Sequence, residues 1–385
     1  MMNVGVIGAG SMGSGITQIA ASKGHNVLLF DEDQSSIENA IIKINKILDR
    51  LVEKGKISII NKKDILNNIN AVSTINDFSN VDIVIEAIVE DLEIKKAVFK
   101  NLDKVCRPDC ILASNTSSFS LSSIASSCSN SERVIGIHFF NPAPIMPLVE
   151  IIPAIQSSDD VIQRSRSLID SWGKISVITK DTPGFIVNRI ARPFYGEALR
   201  IYEEGEANFA TIDWVMTEKG GFRMGPFTLM DFIGNDVNYA VTESVFKAFY
   251  CDPRYKPSFT QKRYSEAGWL GRKTGRGYFN YTGEDRHEEI DKDIKKADKI
   301  LRRILLMLIN EAADALFLNI ASKEDIDLAM TKGVNYPKGL LKWADEIGIA
   351  DCVEGLDELY QEYGEDRYRC SPLLRRMIKN NTKFY

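Results

Sequence analysis

The sequence is poor in the residues that build metal centres and disulfide frameworks. Its 385 residues include only six cysteines and three histidines. Cys106, Cys110, Cys128, Cys251, Cys352 and Cys370 are scattered; only the first two are close, with no second pair or histidine beside them. No metal site is expected from that spacing, and free thiols in a reducing compartment are the simple reading. No apolar run approaches the ~18 residues of a membrane span. Positive charge is not in excess: 48 lysines and arginines face 53 aspartates and glutamates, for a formal net charge of −5. A nucleic-acid binder would carry a basic stripe, so that class is excluded, though a local basic patch for a phosphorylated ligand is not. An apolar strand begins almost at the first residue with no basic stretch ahead of it. A secretory leader is therefore not expected, and a cytoplasmic location is the default.

What is present starts at once. Val4-Gly5-Val6-Ile7 leads into Gly8-x-Gly10-x-x-Gly13, and a helical pattern follows. This is the glycine fingerprint of a dinucleotide-binding βαβ unit. Gly8 makes the tight turn, Gly10 lets the backbone approach a pyrophosphate, and Gly13 lets helix and strand pack closely. The helix N-terminus receives the phosphate charge. The next strand pattern, 26–30, ends in Asp31, about 20 residues past the glycines, where an acid meets ribose hydroxyls. A glycine turn in some other α/β fold is the alternative. Asp31 without an arginine beside it favours NAD over NADP; Lys23 and His25 keep NADP open.

Strand and helix patterns alternate through the first ~180 residues, which predicts an α/β Rossmann-like domain with a parallel sheet covered on both faces. Strands are expected at 2–7, 27–30, 81–87, 111–114, 133–139, 148–152 and 175–179. Helices are expected at 14–22, 35–54, 92–105 and 160–172. Asp181-Thr182-Pro183-Gly184 ends this pattern. A long helix is expected over 185–204, and little strand signal follows. The second half repeats itself. A shift of 114 positions places Glu197-Ala198 on Glu311-Ala312, Asp213 on Asp327, Met216 on Met330 and Phe222 on Tyr336. It also places Gly225 on Gly339, Asp231 on Asp345 and Ile233-Gly234 on Ile347-Gly348. Three parts are thus expected: a dinucleotide-binding domain over 1–182, a helical domain over 183–281, and a second helical copy over 300–385. The charged run 283–299 reads as a solvated linker or helix entry.

Of the three histidines, His25 sits in a surface-type connection and His287 in the charged run. His138 ends the apolar pattern 134–138. Ligands of open α/β sheets bind outside the carboxyl ends of strands, so His138 is well placed; a core histidine satisfied by a backbone carbonyl is the alternative. Glu150 lies within the next apolar run, where a carboxylate is costly unless paired. A histidine–carboxylate pair removes that cost, orients the ring and stabilises the imidazolium formed when histidine takes a proton. Alcohol oxidation by a nicotinamide needs such a base. Ser114-Asn115-Thr116-Ser117-Ser118 follows another strand end and serves either a ligand or a helix cap. Asn188-Arg189 lies one turn into the first helix after Pro183-Gly184.

These residues together resemble the L-3-hydroxyacyl-CoA dehydrogenase family, most nearly its bacterial 3-hydroxybutyryl-CoA members with a duplicated C-terminal helical domain. The matching stretches are Gly8–Gly13, Ala113–Ser118, Ile137–Ala143, Pro183–Arg189 and Gly268–Lys273, in the family's order. The resemblance implies that His138 is the general base toward the 3-hydroxyl and Glu150 its partner. It implies that Ser117 and Asn188 bind the substrate oxygen or position the histidine. Asp31, Glu90, Lys95, Asn115 and Asn141 are the implied cofactor contacts, beside Gly8, Gly10 and Gly13. Lys54 and Lys56 fall where the family meets the CoA phosphates, with Ser117 also toward the substrate; solvation of a helix end is the alternative for the lysines. The implied activity is NAD-dependent, reversible oxidation of a short (S)-3-hydroxyacyl-CoA, 3-hydroxybutyryl-CoA to acetoacetyl-CoA first, in fatty-acid or butanoate metabolism.

Two departures bear on this reading. Short relatives stop near Tyr281, whereas this chain continues into a copy that places Arg302-Arg303 opposite Asn188-Arg189. That copy reads as structural, imitating a partner subunit within one chain; a homodimer is the other possibility. Residues 221–226 and 235–238 resemble longer relatives acting on 3-hydroxyadipyl-CoA in phenylacetate degradation. Arg223 would then meet a distal carboxylate or, as the blander reading, an acidic neighbour. Rival functions are a dehydrogenase of another hydroxy acid and a non-catalytic nucleotide-binding structural or sensor protein.

Overall fold

The computed structural model describes residues 1–283 and 289–385, so His287 lies outside the described residues. The chain divides into two units, Met1–Phe185 and Ile186–Tyr385.

The strands of the first unit are β1 (Asn3–Ile7), β2 (Asn26–Phe30), β3 (Ile69–Ala71) and β4 (Ile83–Glu86), then β5 (Ile111–Ser114), β6 (Val134–Phe139), β7 (Leu148–Pro153) and β8 (Ile175–Ile178). They form one sheet in the order β3-β2-β1-β4-β5-β6-β7-β8. Its helices are α1 (Ser11–Ser22), α2 (Gln34–Glu53), α3 (Ile59–Asn67), α4 (Leu92–Val105), α5 (Leu121–Ala125) and α6 (Asp159–Ser171). Side chains alternate across the sheet, so two cores form. Val4, Val6, Ile83, Ile85, Ile135 and Ile137 pack with Ile16, Ile37, Ile44 and Ile169 on one face. Val84, Leu112 and Val134 pack with Phe99, Leu102, Leu121 and Ile124 on the other. Burial on both faces explains why these strands read as unbroken apolar runs.

The sheet is mostly parallel, with one exception to the sequence expectation: β7 runs antiparallel to β6 and parallel to β8. The connection from Phe139 to Leu148 is too short for a crossover, which needs a dozen or more residues, so the chain reverses there. The elements α3, β3 and α5 were not expected. Ile59 and Ile60 of α3 face solvent and only Ile65 is buried, so no clean apolar period marks that helix.

The second unit contains α7 (Val187–Ile190), α8 (Arg192–Glu203), α9 (Phe209–Trp214), α10 (Pro226–Ile233), α11 (Asn235–Ala248) and α12 (Phe259–Glu266). It continues with α13 (Ile294–Phe317), α14 (Lys323–Gly333), α15 (Leu340–Ile347), α16 (Ile349–Tyr363) and α17 (Pro372–Asn380). The single helix expected over 185–204 is two, because Pro193 offers no N–H to the carbonyl four residues back. Part of the charged run 283–299 belongs to α13, which starts at Ile294.

The 114-residue register has a physical basis. The Asp213 carboxylate accepts from the N–H groups of Phe227 (2.9 Å) and Thr228 (2.8 Å). Asp327 accepts from Leu341 (2.8 Å) and Lys342 (3.1 Å) in the same way. A Cβ on Gly225 or on Gly339 would lie 2.3 Å from the respective carboxyl carbon, so both positions require glycine. Burial pushes the Asp213 carboxyl up to about 6 and raises that of Asp327. The copies also hold each other. Arg189 Nε donates to Glu311 (2.5 Å) and Tyr255 Oη donates to the same carboxylate (2.6 Å). Reciprocally, Arg303 Nε donates to Glu197 (3.0 Å), as does Tyr368 Oη (2.9 Å). Each copy's arginine therefore meets the other copy's glutamate.

Among the described residues no helix is long and apolar enough to cross a membrane, and no cluster of histidine, cysteine and carboxylate side chains suits a metal ion.

Candidate active site

The glycine turn joins β1 to α1. Gly8 adopts φ 99°, and a Cβ there would lie 2.4 Å from the Ala87 carbonyl oxygen. A Cβ on Gly13 would lie 1.8 Å from the Gly8 carbonyl oxygen, so Gly13 is required by the fold itself. Gly10 differs: it is exposed, and a Cβ there meets no atom within 4 Å. Gly10 also stands at the start of α1 with no side chain capping the helix, leaving N–H groups and the positive end of the dipole open to an anion. The Asp31 carboxylate accepts from Ala9 N (2.7 Å) and Asp33 N (3.0 Å), which fixes it beside the turn with lone pairs to spare for hydroxyls. These residues fit a dinucleotide. Gly10→Val is expected to fold with a nearly unchanged Tm but to raise the Kd for NADH at least about tenfold, ~1.4 kcal/mol. Fluorescence titration of NADH checks this.

A second group lies at the carboxyl ends of β4 and β5. Glu86 is wholly buried and accepts from Lys95 Nζ (2.6 Å) and Ser114 Oγ (2.6 Å). Lys95 also meets Glu90 at 3.3 Å. Glu90 in turn accepts from Thr116 Oγ1 (3.0 Å), Ser117 N (2.9 Å) and Ser117 Oγ (3.2 Å). Glu90, Lys95 and Ser117 are thus brought together, and Glu86 is the buried anion that anchors them. Sequence reasoning missed Glu86. The available signal was a carboxylate ending an apolar strand with a lysine nine residues on. Asn115 Oδ1 accepts from Phe139 N (2.9 Å), which ties β5 to β6 beside His138. Asn141 Oδ1 accepts from Ser11 Oγ (3.5 Å), next to the glycine turn. Lys174 Nζ tethers the Asn141 loop through the carbonyls of Ala143 (2.6 Å) and Met146 (2.8 Å).

His138 and Glu150 face each other across the β6–β7 ladder. The antiparallel reversal is what makes them direct partners. His138 Nδ1 lies 2.7 Å from Glu150 Oε2, with the histidine 6% exposed and the glutamate 0%. The rings of Phe140 and Phe185 stand 4.7 and 5.7 Å from the imidazole. The carboxylate fixes a proton on Nδ1 and leaves Nε2 as the basic nitrogen. A buried, carboxylate-paired imidazole among apolar rings is suited to accept one proton and hold the resulting charge.

Lys54 and Lys56 are exposed at the end of α2, with no acidic partner among the described residues. Asn188 lies on α7 in the second unit and is half-buried. Arg223 is exposed beside a cavity of about 320 Å³ lined also by Trp214, Thr217 and Thr228. The ion pair expected for it as the blander reading does not form among the described residues.

Comparison with known proteins matches two family models. The 3-hydroxyacyl-CoA dehydrogenase NAD-binding domain covers residues 3–182. The C-terminal domain of the same family covers residues 184–281 and again 300–383. A 3-hydroxyadipyl-CoA dehydrogenase of Escherichia coli K12 is 37% identical over 97% of both chains. A probable 3-hydroxybutyryl-CoA dehydrogenase of Bacillus subtilis is 41% identical over 72% of this chain and 96% of its own. A crystal structure described as 3-hydroxybutyryl-CoA dehydrogenase from Escherichia coli K12 superposes with a TM-score of 0.93 at 36% identity, covering 98% of both chains.

Proposed function

The chain belongs to the 3-hydroxyacyl-CoA dehydrogenase family, and we propose that its reaction is the reversible oxidation of a short (S)-3-hydroxyacyl-CoA, 3-hydroxybutyryl-CoA to acetoacetyl-CoA being the simplest case. It is an NAD-dependent oxidoreductase acting on a CH–OH group. The His138–Glu150 pair carries the reading, because hydride loss from an alcohol carbon requires a base for the hydroxyl proton.

NAD bound at the glycine turn and Asp31 would supply the hydride acceptor for C3. His138 takes the hydroxyl proton on Nε2, and Glu150 balances the imidazolium through Nδ1. In the reverse direction the same imidazolium returns the proton to the oxygen. Ser117 and Asn188 are assigned to the substrate oxygen and to positioning of the histidine. Gly8, Gly10, Gly13 and Asp31 would hold the adenosine half of the cofactor. Glu90, Lys95, Asn115 and Asn141 would hold the remainder, with Glu86 holding Lys95 in place. Exposed Lys54 and Lys56 supply charge for the CoA phosphates, an attraction that weakens as salt rises.

The test is NADH oxidation with acetoacetyl-CoA. Turnover, with free CoA acting as a competitive inhibitor, supports the reading. No turnover indicates a nucleotide-binding protein without activity, and indifference to CoA indicates another hydroxy-acid dehydrogenase. A six-carbon substrate with a terminal carboxylate is the second reading, favoured by the full-length match to the 3-hydroxyadipyl-CoA dehydrogenase. A place in cytoplasmic acyl-CoA metabolism accords with either.

The reciprocal Arg189–Glu311 and Arg303–Glu197 contacts support a second helical copy that takes the place of a partner subunit. Light scattering on the eluting protein is then expected to give the mass of one chain, 43.2 kDa. A stable dimer of twice that mass contradicts this.

A further inference from the structure

The duplication supplies an internal control. Residues that hold the helical fold recur in both copies, so polar residues present in only one copy mark positions with another task. Five such residues lie together in the first copy. Arg192 Nε donates to the Asn188 carbonyl oxygen (2.9 Å) and its Nη1 to Thr242 Oγ1 (3.1 Å). Gln261 Nε2 donates to Thr242 (3.1 Å) and to Asn238 Oδ1 (2.6 Å). In the 114-residue register the second copy has Arg302 for Asn188, Leu306 for Arg192, Cys352 for Asn238 and Leu356 for Thr242. One residue is missing before the last helix, where Tyr255 corresponds to Tyr368 and Ser258 to Ser371. Gln261 then corresponds to Leu374, which is fully buried. The same scaffold therefore closes without this array.

Arg192 is the anomaly within it. The side chain is 7% exposed, yet no carboxylate pairs with it among the described residues. Its partners are a carbonyl, a hydroxyl and the face of Tyr195, 5.0 Å from the guanidinium carbon. Arg189, the other buried arginine of that stretch, has Glu311. A buried charge without a counter-charge is costly to keep. Burial pulls the Arg192 guanidinium below its ordinary pKa, while the neighbouring Tyr195 and Tyr336 act the other way.

We propose that Arg192 receives a terminal carboxylate on the acyl chain, so that this protein prefers 3-hydroxyacyl-CoA substrates that end in a second acid group. The inference rests on the dehydrogenase reading above, and in particular on Asn188 meeting the substrate oxygen. Arg192 opens α8 four residues after Asn188 on α7, and its Nε donates to the Asn188 carbonyl across that junction, so the two residues stand roughly one helical turn, ~6 Å, apart. Three carbon–carbon bonds of about 1.5 Å, with an oxygen at each end, cover that span. This is the distance from the 3-hydroxyl to the far carboxylate of a six-carbon diacid. Thr242, held by Asn238 and Gln261, fixes the guanidinium for that contact. The assignment places distal recognition at Arg192 instead of Arg223.

The experiment compares kcat/KM for 3-oxoadipyl-CoA and acetoacetyl-CoA, each with NADH, in the wild-type chain, R192L and R192K. R192L introduces the residue that the second copy carries at this place. The wild-type protein is expected to favour 3-oxoadipyl-CoA, and R192L to lower the ratio of the two values roughly 30-fold or more, as loss of a buried charge pair does. R192K, which keeps the charge but not the fork of donors, is expected to fall between them and decides the matter if R192L does not fold. As a second readout, adipyl-CoA should inhibit the wild type more strongly than hexanoyl-CoA, and R192L should lose the difference. A ratio unchanged in both variants overturns the inference and leaves the dehydrogenase reading standing. So does an equal fall with both substrates, which would make Arg192 a positioning residue for Asn188. A wild-type chain that reduces neither compound overturns the dehydrogenase reading itself.

Discussion

His138→Gln is expected to lower kcat about a thousandfold, within the 10²–10⁴-fold that a positioned acid or base contributes. The amide cannot take the hydroxyl proton, and it forms no cation for Glu150 to stabilise. NADH affinity should change little, because the glycine turn and Asp31 are separate from the β6–β7 pair. Steady-state rates with acetoacetyl-CoA, read beside an NADH titration, separate the two effects. Loss of both together would mean a collapsed strand pair in place of a missing base. The complementary variant Glu150→Gln keeps a hydrogen-bond partner but removes the charge that stabilises imidazolium. Its loss should be smaller and concentrated in kcat.

Glu311→Ala is expected to destabilise the helical unit by about 3–5 kcal/mol, the cost of leaving a buried charge unmatched. Glu311 is the acceptor for Arg189 and Tyr255 and lies 3.6 Å from Arg254 as well. Arg189 and Tyr255 are buried and Arg254 is half-buried, so the Arg189 guanidinium would lose its carboxylate away from bulk water. For a unit of this size the shift is about 6–20 °C in the Tm of its transition. The double variant Arg189→Met, Glu311→Leu should cost less than Glu311→Ala alone, since removing both charges removes the imbalance. Thermal melts of the single and double variants check this ordering. If the single variant melts with the wild type, the reciprocal contacts are not what joins the copies.

Much of the fold is legible because its signals are local. The glycine turn, the apolar runs buried on both faces and the ungapped repeat all lie in contiguous sequence. The direction of β7 was not legible, since alternation along a strand reads the same for either neighbour orientation. The exchange of glutamates between copies was also hidden. The repeat shows that Arg189 and Arg303 are equivalent, but not that each reaches across to the other copy. In the site, His138 and Glu150 could be paired in advance because each is a polar residue stranded in an apolar run. Glu86 offered the same signal but sits at a strand end, where a carboxylate passes for ordinary. Arg192 gave no signal at all: an arginine just ahead of a proline at the start of a helix is unremarkable until its burial and its missing partner are seen.

The most direct test of the central claim is the rate of NADH oxidation by the full chain with acetoacetyl-CoA, set beside that of His138→Gln at equal NADH saturation. The account predicts ready turnover by the wild type and a rate about a thousandfold lower in the variant. No turnover by the wild type, or near-normal turnover by His138→Gln, would contradict it.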